Sequence, residues 1–214
     1  MKADGIIFDL DGTLWDATEG VMHSWNETIE KYKEVKNKLT LDDIKDIMGL
    51  TVKDVAAKLF PYIKEELRVK IAMQCCKDEC IFLGKYTTFL YEKVEETLKE
   101  LVKTRKLFIV SNCQGGYIET FFKLHKMEKY FTDYENSERT GLSKGENIKL
   151  IMARNNLAHP IYVGDTAGDL KAARLANIPF VYASYGFGKV KEYDYIIKSI
   201  DELINVGAVS NDKT

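Results

Sequence analysis

The chain has 214 residues, 45% of them hydrophobic and 30% charged, which suits a domain folded around a real core. Lys plus Arg number 31 and Asp plus Glu 33, so the net charge of -2 excludes a polycation-style grip on nucleic acid. No apolar run approaches the ~20 residues of a membrane-spanning helix.

The first segment, Met1-Lys2-Ala3-Asp4-Gly5, leads into a short apolar run broken by Asp9 and Asp11, unlike a secretory signal. Cys75, Cys76, Cys80 and Cys113 form no disulfide framework, and together these features predict a cytoplasmic protein. Ile6-Ile7-Phe8 reads as the first strand, running into Asp9. From Trp15 to Gly84 the pattern turns helical. Helix starts are expected at Asp16-Ala17-Thr18-Glu19, with Asp16 as N-cap, at Thr40-Leu41-Asp42-Asp43 and at Thr51-Val52-Lys53-Asp54. A longer helix follows over about Lys64 to Ile81. Beyond the insertion, helices are predicted at Glu95 to Val102, Tyr117 to Leu124, Asn147 to Met152 and Asp169 to Leu175. Strands are predicted at Leu107 to Val110, Ile161 to Val163 and Phe180 to Tyr182. Their continuous β-branched and aromatic runs suit strands buried on both faces. Ser210 to Thr214 reads as a polar tail.

Alternating strands and helices predict an α/β fold with a doubly wound, mostly parallel sheet and an inserted α-helical cap. The expected division is a core of residues 1–14 and 85–214, with the cap at 15–84. Ligands in such sheets bind beyond the carboxyl ends of the strands. Four polar elements fall at or near those ends. Asp9-Leu10-Asp11-Gly12-Thr13 holds two carboxylates two residues apart, which need a cation or a proton between them. Ser111-Asn112, followed by Gly115-Gly116, offers a hydroxyl, an amide and loop N–H groups to phosphate oxygens. Lys144 brings a positive charge at a helix start. Gly164-Asp165-Thr166 with Asp169 adds two carboxylates suited to a hard divalent ion such as Mg²⁺.

In this order the four elements resemble the motifs of the haloacid dehalogenase superfamily, over nearly the whole chain. The cap position resembles that of its phosphoglycolate phosphatase-like members. The resemblance implies a Rossmann-like core and a Mg²⁺-dependent phosphatase acting on a small phosphorylated metabolite. It implies Asp9 as nucleophile and Asp11 as general acid and base, with the Asp11 carbonyl in the metal shell. Asp9, Asp165 and Asp169 would hold Mg²⁺, Asp169 through water in one reading. Ser111 and Lys144 would bind the phosphoryl group, and Asn112 and Gly12 would add backbone N–H groups. A cap loop faces the site in related enzymes, so Gly49, Leu50 and Lys53 are candidate specificity residues. The competing reading of that loop is an ordinary turn with Thr51 as N-cap.

Other signals are weaker. The cysteines are expected to pack, since no Cys or His pattern completes a metal site. His23, His125 and His159 match no motif. Gly186-Phe187-Gly188 is expected beside the site, and Trp15 and Trp25 in hinge and core packing. A dehalogenase needs no acid at the position of Asp11, and no cap lysine suggests a phosphonate hydrolase. A β-phosphoglucomutase-like phosphomutase shares these carboxylates and differs by keeping the phosphoryl group on its substrate. The intact motif set argues against a non-catalytic binding protein.

Overall fold

A computed structural model describes residues 3–86 and 88–206. The polar stretch Ser210–Thr214 lies outside the described residues. In chain order the elements are β1 (Gly5–Phe8), β2 (Trp15–Asp16), α1 (Thr18–Ile29), α2 (Leu41–Lys45), α3 (Val52–Leu59), α4 (Glu65–Phe82), β3 (Phe89–Leu90) and α5 (Val94–Leu101). There follow β4 (Lys106–Ser111), α6 (Tyr117–His125), β5 (Asp133–Asn136), α7 (Ser137–Thr140), α8 (Lys144–Asn155), β6 (Ile161–Gly164), α9 (Ala167–Ala176), β7 (Phe180–Ala183) and β8 (Tyr195–Ile197). No described helix is long and apolar enough to cross a membrane.

Six strands form one parallel sheet in the order β5-β4-β1-β6-β7-β8. Strand alternation splits the core into two layers. Ile6, Phe8, Ile109 and Val163 face one layer, and Ile7, Phe108, Val110 and Tyr162 face the other. The second layer is completed by α8 and α9 through Ile148, Ile151, Ala172 and Ala173. The sheet is therefore covered on both sides, as its apolar runs require. Its strand order reverses around β1, which sits between β4 and β6. That reversal opens a crevice at the carboxyl end of β1, where Asp9 begins.

The four predicted strands are β1, β4, β6 and β7. Two strands of this sheet escape sequence reading, and both are its edges; the short β2 and β3 escape it too. β5 is Asp133-Tyr134-Glu135-Asn136, and β8 leaves Tyr195 and Ile196 exposed, so neither has a continuous buried run. The segment between β2 and β3 is helical wherever its structure is regular. β2 and β3 pair antiparallel, Trp15 with Leu90, forming a ribbon where the chain leaves and rejoins the α/β layers. α4 packs against α1 and α3 in this segment.

The predicted helix starts at Thr40 and Thr51 are N-caps, and Thr40 forms a full capping box with Asp43. The expected Asp16 cap is displaced by one residue. Ala17 is the N-cap of α1, and Asp16 Oδ1 instead accepts from Thr18 N at 2.9 Å and Thr18 Oγ1 at 2.6 Å. Asp16 is held back because it belongs to the β2 ribbon.

Candidate active site

Asp9 follows β1 directly and its N–H donates to Val163 O of β6 at 2.8 Å, so the sheet fixes its backbone. Asp165 follows β6, and Asp169 is the third residue of α9. Thr166 and Asp169 form a capping box there, in which Asp169 Oδ2 accepts from Thr166 N at 2.9 Å and Thr166 Oγ1 at 2.6 Å. One cap thus starts the helix and orients a carboxylate.

The carboxylates of Asp9, Asp165 and Asp169 converge, with one oxygen from each within 4.8 Å of the others. All three residues are buried. Lys144, the first residue of α8, supplies the only ammonium bonded to this cluster among the described residues. Its Nζ lies 2.7 Å from Asp169 Oδ1 and 3.0 Å from Asp9 Oδ2, and the side chain is 5% exposed. Gly145 lets α8 approach α9 this closely, because a Cβ there would overlap the Leu175 side chain and crowd Ala172 O.

Burial pushes the Asp9 carboxyl well up, and the Asp169 charge adds to it. Burial and Asp169 raise Asp165 to about 7, although Phe187 N and Gly188 N donate to its Oδ2 at 2.7 Å and 3.3 Å. Burial acts on Asp169 in the same direction, but Lys144 and Thr166 outweigh it and hold that carboxyl low. Burial lowers Lys144, yet Asp169 and Asp9 more than reverse this, so it is firmly protonated. One ammonium faces three carboxylates. Asp9 Oδ1 and Asp165 Oδ1 are buried acceptors without a protein donor. Orphaned carboxylate oxygens of this kind fit a hard divalent cation. Both Asp169 oxygens already accept from Lys144 or Thr166.

Asp11 stands apart from that cluster. Its Oδ1 accepts from Trp15 Nε1 and Tyr117 Oη, each at 2.9 Å. Burial raises its carboxyl to about 6, against the lowering effect of these two bonds. Gly12 has φ +77° and sits against Asp165, so a Cβ would press into that carboxylate. Gly12→Ala is expected to combine left-handed strain with this overlap. It should lower turnover at least ~100-fold and lower the thermal midpoint, measured by phosphate release and calorimetry.

Asp11, Ser111, Asn112, Gly49 and Leu50 line one cavity of about 60 Å³. The Asn112 side chain joins the two parts of the chain here. Its Nδ2 donates to Gly49 O at 2.8 Å, and its Oδ1 accepts from Ser137 Oγ at 2.9 Å. Asn112 was expected to contribute through its backbone, and the structure adds this side-chain role. Lys53 is not brought to the cavity. It pairs with Glu65 at 3.3 Å on the surface with its side chain 76% exposed, because its place in the first turn of α3 points it outward while Thr51 caps that helix.

Several contributors carry no local sequence signal. Trp15 and Tyr117 hold Asp11, the latter from 106 residues away. In the insertion, buried Glu79 of α4 accepts from Trp25 Nε1 and, at 2.6 Å, from Gln114 Nε2 of the Ser111 loop. The Gly186-Phe187-Gly188 loop lies beside the site as expected, with its N–H groups on Asp165. The cysteines are free; Cys75 and Cys76 pack in the core, and burial pushes their thiols up. His23 stacks on Tyr86, and His125 packs against Trp15.

Burial raises Glu79 to about 8, although its two hydrogen bonds oppose the rise. An unfolded Glu ionises near ~4.3, so between about pH 4 and 8 the folded chain holds a proton that the unfolded chain releases. This stabilisation is present below about pH 4 and lost as pH rises to about 8. Glu79→Gln should make the fall of unfolding free energy with pH shallower by up to ~1.4 kcal/mol per pH unit near pH 6. Urea titrations of the metal-free protein at pH 5.5 and 7.5 measure it. An unchanged slope would contradict a titrating Glu79.

The chain is thus an α/β protein with an all-parallel, doubly covered sheet and with acidic loops and a buried lysine at its switch point. The chain belongs to the haloacid dehalogenase-like hydrolases, whose family model matches residues 6–183. It is 30% identical to the pyrophosphatase PpaX of Bacillus thuringiensis, over 96% of this chain and 97% of that one. It is 25% identical to the glyceraldehyde 3-phosphate phosphatase of Methanocaldococcus jannaschii, over 94% and 96%. The crystal structure of a predicted phosphatase from Clostridium acetobutylicum superposes with a TM-score of 0.83 at 24% identity, covering 96% of this chain and 98% of that one.

Proposed function

We propose that the chain is a Mg²⁺-dependent phosphatase that hydrolyses a small phosphomonoester through an aspartyl-phosphate on Asp9, with residues 15–84 acting as its cap. The observation that carries this reading is the convergence of Asp9, Asp165, Asp169 and Lys144 at the switch point, with unpaired carboxylate oxygens left over. Family membership and relatives named as phosphatases support a phosphoric-ester hydrolase.

Asp9, Asp165 and Asp169 would hold the metal, with the Asp11 carbonyl as a further ligand. When bound, Mg²⁺ supplies the positive charge that lets a dianionic phosphate approach a carboxylate. Lys144 shares that task and holds the phosphoryl oxygens with the Ser111 hydroxyl and the Gly12 and Asn112 N–H groups. An Asp9 oxygen attacks phosphorus as the ester P–O bond breaks, and Asp11 gives its proton to the departing oxygen. Asp11 then takes a proton from water as that water displaces Asp9 from phosphorus. A carboxyl near 6 is populated in both forms around neutral pH, as these two roles require. The Asn112–Gly49 bond supports a closed cap that excludes bulk water during transfer.

Phosphate release from a panel of phosphomonoesters, with Mg²⁺ and with EDTA, tests the reading. Release only with Mg²⁺ is expected. Phosphoryl groups retained on isomerised substrate would indicate a mutase, and no release from any ester would contradict a phosphatase.

A further inference from the structure

The cavity beyond Asp11 is where a leaving group must sit if the phosphatase reading holds, and the following rests on that reading. Asp11 and Ser111 lie at its core side, and the insertion closes it with Ile47, Leu50, Val55 and Glu79. Its volume of about 60 Å³ holds only a few heavy atoms, since one water needs ~10–15 Å³. No Lys, Arg or His among the described residues lines it. Lys144 lies under the carboxylate cluster, and Lys53 is tied to Glu65 on the surface. Lys70 and Lys77 border a separate cleft that does not reach Asp11 or Ser111.

We propose that this cavity selects small leaving groups that are uncharged or carry an ammonium, that it rejects those with a second negative charge, and that Glu79 is the discriminating residue. The Glu79 carboxyl is 4% exposed and fixed at both oxygens, by Trp25 from α1 and by Gln114 from the Ser111 loop. An anionic leaving group entering here is desolvated with no cation to meet it, whether Glu79 holds its proton or not. An ammonium group loses the same hydration but favours release of the Glu79 proton to solvent and then gains a buried carboxylate partner. An uncharged hydroxyl-bearing group meets a polar wall without a charge penalty. The preferred substrates are thus phosphate esters of small neutral alcohols or amino alcohols. Pyrophosphate and phosphorylated hydroxy acids are disfavoured, although a relative at 30% identity is named a pyrophosphatase.

The test uses the full chain with Mg²⁺ and ³²P-labelled methyl phosphate, whose leaving group is small enough for the cavity, as reporter substrate. Three competitors of matched length differ in end-group charge: phosphoethanolamine, 2-hydroxyethyl phosphate and 2-phosphoglycolate. Pyrophosphate is the fourth, at fixed free Mg²⁺. Inhibition constants for 2-phosphoglycolate and pyrophosphate should exceed that of phosphoethanolamine at least tenfold, with 2-hydroxyethyl phosphate between. In Glu79→Gln the ammonium and neutral esters should bind within about twofold of each other, and Glu79→Asp should keep the wild-type order. A general loss of packing would scale all competitors alike. Binding of 2-phosphoglycolate or pyrophosphate as tight as that of phosphoethanolamine, or an unchanged order in Glu79→Gln, would overturn the proposal while leaving the phosphatase reading intact. No hydrolysis of methyl phosphate or of any of the four would overturn both.

Discussion

Asp9→Asn is expected to abolish turnover, with a loss of at least ~10⁴-fold in kcat, and to leave the fold intact. The size follows from the role, because an amide is a poor nucleophile and no second carboxylate follows β1 in the same place. Asp11 is held away by Trp15 and Tyr117, and Asp165 and Asp169 belong to other elements. The fold should survive because Asp9 is a buried carboxylate whose ionised form is disfavoured by burial and by Asp169. Lys144 keeps Asp169 as its partner when Asp9 is neutral. The metal-free variant is therefore expected to unfold at the same temperature as the parent or higher, an exchange of stability for activity common at active sites. Circular dichroism melting beside phosphate release measures both effects. Parent-like turnover would refute Asp9 as the nucleophile.

Lys144→Met is expected to have the largest effect on stability. It removes the ammonium bonded to the carboxylate cluster while keeping roughly the same apolar length. Breaking a buried pair on one side costs ~3–5 kcal/mol, because the remaining charges stay buried and unpaired. The cost should appear in full in EDTA, where Asp9, Asp165 and Asp169 repel one another. Mg²⁺ should return part of it, so the gain in stability on adding Mg²⁺ becomes larger in the variant than in the parent. Turnover should fall by ~10²–10³-fold even at saturating Mg²⁺, since Lys144 meets charge on the transferring group. Guanidinium unfolding in EDTA and in Mg²⁺ separates these effects. A variant as stable as its parent in EDTA would mean that Lys144 contributes little to holding the cluster together.

The sheet centre was legible because burial on both faces writes itself as continuous apolar runs, as in Leu107-Phe108-Ile109-Val110. β5 and β8 were not, since an edge strand needs no such run. Capping chemistry located α2 and α3 correctly through Thr40 and Thr51. It misplaced the start of α1 because pairing of β2 with β3, in which Asp16 stands opposite the distant Phe89, decides where Asp16 lies. Asp9, Asp165, Asp169 and Lys144 were legible as residue types at strand and helix ends, and the fold brings them together. What surrounds them was not. Tyr117 on Asp11, Gln114 on Glu79 and Asn112 on Gly49 are tertiary contacts that no local spacing announces. Lys53 lies outside the Asp11 cavity and borders a neighbouring cleft with Asn112 and Ser137, since the face of α3 and not nearness in sequence to Gly49 sets its direction.

The central claim is a covalent phosphoryl group on Asp9, and acid quench of the enzyme during turnover of a ³²P-labelled ester with Mg²⁺ tests it most directly. The account predicts protein-bound label that hydroxylamine discharges, that maps to the peptide containing Asp9, and that is absent in EDTA and in Asp9→Asn. Mg²⁺-dependent phosphate release with no protein-bound label on any timescale down to single turnover, or label on another residue, would contradict it.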